Sequence, residues 1–325
     1  MDSALATLAD NLIVPTILFF LLGLIAAFVR SDLSVPVGAA KFMSLYLLLA
    51  IGFKGGVQLA ENGIGPDMLT VIGAGIFLSF TLPFLAFGML RVMSSLDREN
   101  AAAIAGHYGS ISIVTFVTAT SILSLSGIPY PGYMVAVAAA MEVPAIISAL
   151  WPASRGGEQV EGGKVWRDIL ANGSILLLVG AFAIGFATGA EGATTVEPFI
   201  GQMFMGILCL FLLDMGLRAG HSLISHRHLL SAQVFAFGLL MPLASAVLAY
   251  ALGSALGMSG GGLFLFLVLA ASASYIAVPA AMQIALPRAQ AGIYLTLALG
   301  VTFPFNLTLG IPLYIAVAMA VMGGG

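Results

Sequence analysis

Two polar stretches interrupt an otherwise oily chain, and both carry residue types suited to holding ions. "GHYGSISIVTFVTA", Gly106 to Ala119, packs two glycines, a histidine, a tyrosine, two serines and two threonines into fourteen residues. "SASYIAVPAAM", Ser272 to Met282, is its counterpart in the second half. Gly109 weakens helix preference in the first stretch, and Pro279 removes a donor and kinks the second. A helix that starts inside a protein offers unpaired N–H groups and a positive dipole end, which favour anions. A helix that stops there offers carbonyls, and with Ser and Thr hydroxyls these suit a hard cation such as sodium. The competing explanation is that small and hydroxyl residues only let helices pack closely.

Glu142 lies in the apolar run "AAAMEVPAII". A carboxylate at the centre of a bilayer costs about 2.5–3.5 kcal/mol on insertion scales, so it reads as functional, either ligating sodium or carrying a proton. The alternative is a helix–helix hydrogen bond made while protonated. Asn306, in "TFPFNLT", sits beside Pro304 at another helix interruption and is a further site candidate. Asp214 stands four residues before Arg218, where a structural pair competes with function. Lys54 reads as a snorkelling or paired residue. His107 borders the first polar stretch, as a pH sensor or as a buried hydrogen-bond donor. His221, His226 and His228 fall in "HSLISHRH", which has no acidic companion and reads as a solvated basic loop rather than a metal site. Cys209 is alone, which excludes a disulfide framework or a Cys-based metal site. No nucleophile and base converge, so no enzyme is expected.

The elements that must position these residues follow from composition. The chain has 325 residues, 60% hydrophobic and 8% charged, with a mean hydropathy of +1.10. A soluble domain carries about 25% charged residues, so this is an integral membrane protein. Its net charge of −3 and lack of a basic tail argue against nucleic acid. The acidic start "MDSALATLADN" argues against a secretory signal. A membrane-crossing helix needs about 20 apolar residues. Ten stretches are expected to qualify: 12–29, 37–59, 68–91, 100–125, 131–151, 169–188, 199–217, 230–257, 262–286 and 291–321. Short linkers leave no room for a soluble domain.

Basic residues alternate between the linkers. Arg30 and Lys41 flank the first, Arg91 and Arg98 the third, and Arg155, Lys164 and Arg167 lie in the fifth. Arg218 and Arg227 belong to the seventh and Arg288 to the ninth; Lys54 is the exception. Cytoplasmic loops are enriched in Lys and Arg, so the odd linkers are expected inside and both termini outside. An offset of 164 residues carries Gly52, Lys54 and Gly56 onto Gly216, Arg218 and Gly220, and lays "YGSISIVT" on "SASYIAVP". "MEVP" falls on "VTFP" at an offset of 160. Five spans per half invert the second half, a recurring secondary-transporter plan with the substrate site between broken helices. The expected fold is therefore all-α integral membrane, with ten transmembrane helices in a 5+5 inverted repeat. Residues 1–151 form the first repeat, 152–168 a cytoplasmic linker and 169–325 the second repeat.

"YLLLAIGFKGGVQLAENG", "HYGSISIVTFVTA", "MEVPAII", "FLLDMGLRAG", "SASYIAVPAAM" and "LGVTFPFNLTLGIPLY" together resemble the sodium-dependent bicarbonate transporter family, in motif order and over nearly the whole chain. The resemblance is to a branch other than the cyanobacterial one. It implies a gate domain from spans one, two, six and seven. It implies a core domain from spans three to five and eight to ten, with spans four and nine broken and crossing. It further implies sodium-coupled import of a small anion, most likely bicarbonate, with no cofactor beyond the coupling ion. A homotrimer and a cytoplasmic PII-like regulatory protein are also implied. Gly109, Ser110, Ser112, Ser272, Ser274 and Tyr275 then surround the anion, and Thr115, Glu142, Pro279 and Asn306 hold sodium. Departures stand beside the matches: Tyr275 follows Ser274 where an acid is expected, Val278 replaces a glycine, Ile113 and Val114 replace small residues, and the fifth linker is short. Another monoanion or small organic acid, and a passive channel, are the rival functions.

Overall fold

The computed structural model describes residues 15–63, 65–154, 173–276 and 278–323. The fifth linker's Arg155, Lys164 and Arg167, and the chain before Pro15, lie outside the described residues. The described chain is helical. Helices α1 (Pro15–Phe28), α2 (Val37–Asn62) and α3 (Pro66–Met93) come first. Two interrupted helices follow, α4 (Arg98–Gly109) with α5 (Ile113–Leu125), and α6 (Met134–Ala140) with α7 (Glu142–Ser154). The second half runs through α8 (Gly173–Glu197), a wide turn at Pro198–Gln202, α9 (Phe204–His226) and α10 (Ala232–Ala255). It ends with the interrupted pair α11 (Gly260–Ala271) and α12 (Val278–Ala285), then α13 (Ala291–Leu295), α14 (Phe303–Phe305) and α15 (Ile311–Gly323). Wide π-type turns at Thr296–Thr302 and Asn306–Gly310 join these last three.

Among the described residues, seven helical stretches are long and apolar enough to cross a membrane: Val37–Glu61, Pro66–Met93, Arg98–Leu125, Leu176–Gln202, Phe204–Leu229, Ala232–Ala255 and Ala291–Val321. At the other positions where spans are expected, the apolar helices Pro15–Phe28, Met134–Ala149 and Gly260–Ala271 are shorter. Two expected boundaries move. Span six was expected to end at 188, but helix continues to Glu197, with a kink at Gly189, whose φ of 55° and ψ of −148° only glycine adopts readily. The threonines there donate back into the helix, Thr188 to Ile184 O at 2.9 Å, Thr194 to Ala190 O at 3.0 Å and Thr195 to Glu191 O at 3.1 Å. The "HSLISHRH" run is likewise no loop at its start, because α9 continues to His226. Ser222 Oγ lies 2.8 Å from Thr296 Oγ1, and Gly292 leaves room for the His226 ring, so these polar residues have packing partners in the last span.

Two tight helix pairs link the halves. A β-carbon on Gly23 falls 2.1 Å from Leu213 O, and one on Gly216 falls 2.1 Å from Phe20 O, so α1 and α9 touch backbone to backbone. In α2 and α8 the same holds for Gly52 (2.5 Å from Leu178 O), Gly56 (2.0 Å from Phe182 O) and Gly185 (2.1 Å from Phe53 O). Small residues allow this approach between membrane helices, where dispersion rather than water drives association. Of the seven long stretches the interrupted α4–α5 is the most enclosed, with 83% of its most apolar part buried, against 17% for Leu176–Gln202. Asp97 caps α4 by accepting from Asn100 N at 2.8 Å, and Asn100 Oδ1 accepts from Gln290 N at 2.8 Å. Arg288 meets Glu99 in an ion pair. Linkers three and nine are thereby held together beneath the two interrupted helices.

Candidate functional site

The two interruptions meet and satisfy each other's backbone. Helix α4 stops at Gly109, and Ser110 to Ser112 run extended before α5 starts. Helix α11 stops at Ala271, and Ser272 takes φ −88° and ψ 164°, nearly the values of Ser110, φ −89° and ψ 163°. Ser112 N donates to Ser272 Oγ at 2.8 Å, and Ser272 Oγ donates to Leu269 O at 2.9 Å. Ser274 N donates to His107 O at 2.8 Å, while His107 Nδ1 lies 2.5 Å from Ser274 O and must carry the proton there. His107 is therefore the buried hydrogen-bond donor of its two readings, stacked on Tyr294 at 4.6 Å. An unpaired backbone group at membrane depth costs several kcal/mol, and these reciprocal bonds remove that cost where the helix ladders stop.

Around this junction, polar side chains clamp the helix ends. Asn306 Nδ2 donates to Ala271 O at 2.8 Å, and Tyr314 OH donates to Asn306 Oδ1 at 3.0 Å. Thr302 Oγ1 donates to Gly238 O at 2.7 Å, so it accepts from Tyr108 OH at 2.5 Å. Glu142 is not in mid-helix. It opens α7 after an interruption at Met141, whose carbonyl accepts from the Ser79 hydroxyl. A carboxylate in a first helical turn gains from the dipole, and Ser110 Oγ donates to Glu142 Oε2 at 2.5 Å.

A cavity of about 20 Å³ lies against the junction, lined by Ser112, Glu142, Ser274 and Tyr275 with apolar side chains from Ile111, Ile113, Ala139 and Ile276. Leu48 of α2 and Leu178 of α8 complete its lining. That volume admits about one water. The other candidates sit elsewhere. Ser272 and Ser110 are committed to the bonds above. Gly109 is turned away: a β-carbon there falls 2.2 Å from Pro83 Cγ, so its glycine serves close packing against α3 rather than loosening the helix. Asn306 holds the end of α11, and Pro279 lies half-buried in the first turn of α12. Thr115 is buried in the first turn of α5, and its hydroxyl has no hydrogen-bond partner, leaving one oxygen free for a cation. The Tyr275 hydroxyl is also buried and without a partner. Leu48 and Leu178 escaped sequence reasoning because nothing in their apolar surroundings distinguishes them from lipid-facing leucines.

The remaining charged residues separate cleanly. Arg218 Nε pairs with Asp214 Oδ2 at 2.7 Å, the structural alternative for that pair. Among the described residues no group of three or more His, Cys, Asp or Glu side chains is placed to hold a metal. What the junction offers instead is one carboxylate, several hydroxyls and helix ends, a donor set for a hard monovalent cation and an oxyanion.

No curated protein matches the chain. The profile of the Na+-dependent bicarbonate transporter superfamily does match, over residues 15–319, and with its interrupted helices meeting at a buried polar junction the chain belongs to that superfamily.

Proposed function

We propose that the protein is a secondary transporter that imports a small monoanion, bicarbonate first, coupled to sodium by alternating access. The observation that carries this is the junction itself, two helix interruptions bonded to each other beside a buried carboxylate and a cavity. In this reading Ser112, Ser274 and Tyr275 touch the anion, backed by Ser110, Ser272 and Gly109. Glu142 and the free Thr115 hydroxyl ligate sodium, while Asn306 and Pro279 shape the helix ends around it. Helices α1, α2, α8 and α9 form the gate and the remaining helices the core. The paired glycine contacts at Gly52 and Gly216, 164 residues apart, support an inverted repeat. A cavity of about 20 Å³ is too small for an oxyanion with its ion, so loading requires Leu48 and Leu178 to withdraw. Substrate binding and gate movement are then one event. Both termini lie outside a plasma (inner) membrane, by the basic-linker rule. A homotrimer and a PII-like cytoplasmic regulator come from the family resemblance alone.

A second substrate reading, another monoanion or a small organic acid, is favoured by Tyr275, whose unpartnered hydroxyl adds a donor to the cavity. The deciding experiment is uptake of radiolabelled bicarbonate into proteoliposomes, with an inward sodium gradient and then with potassium. Saturable, sodium-dependent uptake is expected. Glu142→Gln should reduce the sodium-dependent component by roughly tenfold or more, about 1.4 kcal/mol per decade. Undiminished sodium dependence in that variant removes Glu142 from the ion site.

A further inference from the structure

A second cavity, far roomier than the first, lies at the end of the molecule that carries linkers four and six. It measures about 200 Å³ and is lined by Lys54 of α2, Thr120, Ser121 and Ser124 of α5, Tyr130 of linker four and Phe204 of α9, among others. Among the described residues Lys54 is its only charged lining residue. Lys54 is half-buried, with Nζ 4.9 Å from the Phe204 ring centroid, and among the described residues it makes no hydrogen bond and no ion pair within 4 Å. Glu197, the carboxylate that acts on it electrostatically, is exposed and packs over Gly201. An ammonium carries three donors, and an aromatic face satisfies their charge but not their hydrogen bonds. The hydroxyl protons of Thr120, Ser121 and Ser124 are spent on Val117 O at 2.8 Å, Val117 O at 2.9 Å and Thr120 O at 2.9 Å. Their oxygens can only accept, and those of Thr120 and Ser124 face the Tyr130 hydroxyl, which an entering anion would share with them.

We propose that this cavity is a second binding site, a vestibule for a small hydrogen-bearing oxyanion such as bicarbonate. Lys54 and the Tyr130 hydroxyl bind the anionic oxygens, and the spent hydroxyls of α5 accept the anion's own O–H. The site rests on the anion-transport reading for its purpose but on its own residues for its chemistry. It raises the local anion concentration beside the gate helices α2 and α9, from which the junction cavity is loaded. Lys54 thus breaks the basic-linker alternation because it serves the anion rather than the cytoplasmic surface.

Two measurements test it. The first is the thermal-unfolding midpoint of the detergent-purified full chain in potassium bicarbonate against potassium gluconate, at equal ionic strength, one alkaline pH and no sodium. The midpoint should rise by about 2–4 °C in the parent chain, Lys54→Arg and Ser274→Ala, and not in Lys54→Gln. The second is bicarbonate uptake, where Lys54→Gln should raise KM roughly three- to tenfold at low ionic strength and less at high, with the maximal rate nearly kept. An equal midpoint rise in Lys54→Gln, or no rise in the parent chain with KM unchanged in the variant, overturns the vestibule. A rise lost only in Lys54→Gln, in a chain that takes up no bicarbonate, upholds the vestibule and sinks the transport reading. Normal sodium-driven uptake that ignores Lys54→Gln does the reverse. Where Lys54→Gln does not fold, Tyr130→Phe carries the test and should diminish the midpoint rise.

Discussion

At the scale of single residues, the junction depends on side chains that stand in for missing helix bonds. Asn306 is a case in which a candidate ion ligand is already occupied by backbone: its amide donates to Ala271 O and its carbonyl accepts from Tyr314. Replacing it with the similarly sized, non-bonding leucine leaves the Ala271 carbonyl and the Tyr314 hydroxyl buried without partners. Asn306→Leu should therefore cost about 1–3 kcal/mol per orphaned group, read as a lower unfolding midpoint of the purified protein. If the midpoint holds, the clamp is not what keeps α11 in place. Thr115 is the opposite case, a buried hydroxyl with nothing to bond. Its position in the first turn of α5 was legible from "SIVT", but its lack of a partner was not, because that depends on which helices pack around it.

At the scale of helices, glycines divide into those that contact a neighbour and those that do not. On α2, a β-carbon at Gly56 would sit 2.0 Å from the carbonyl of Phe182, backbone that cannot move aside without parting α2 from α8. On α3, Gly73 has nothing within 4 Å. Gly56→Ala should destabilise by about 1–3 kcal/mol through overpacking, whereas Gly73→Ala should be neutral or stabilising by roughly 0.5–1 kcal/mol through helix propensity. Denaturation midpoints of the two variants check the contrast, and equal effects would contradict the α2–α8 contact. Both positions read alike in the sequence. Only Gly56 shares its offset of 164 with a partner, Gly220, and that repeat signal was the one local hint of its role.

At the scale of the molecule, the proposed transport cycle requires the gate helices to move against the core. The hydroxyls of Ser222 on α9 and Thr296 in the last span lie 2.8 Å apart, joining the two groups of helices at one end. Cysteines at both positions, in a chain whose buried Cys209 is replaced by alanine, are close enough for a disulfide. Oxidation should abolish sodium-driven uptake and reduction should restore it. Uptake that persists in the fully cross-linked protein would place the moving boundary elsewhere. The same view explains the two cavities. The junction cavity is lined by Leu48 of α2 and Leu178 of α8, and the larger one lies where α2 and α9 face α5.

Membrane insertion, the helical class, the interruptions after Gly109 and before Pro279 and the buried position of Glu142 were determined by the sequence alone. Each depends on local quantities: the transfer free energy of a run of side chains, the φ limits of proline and the propensity of glycine and serine. The boundaries at Thr188–Glu197 and His221–His226 were misplaced because polar residues there spend their hydrogen bonds within the helix or on the last span, which composition does not record. Only the tertiary structure decided that Ser112 bonds Ser272, that Ser274 bonds His107, that Gly109 yields to Pro83 and that Glu142 starts a helix facing Ser110. Those pairings join residues far apart in the chain. They are selected by the need to satisfy every backbone group where no water can, a condition on the whole packed molecule rather than on any one segment.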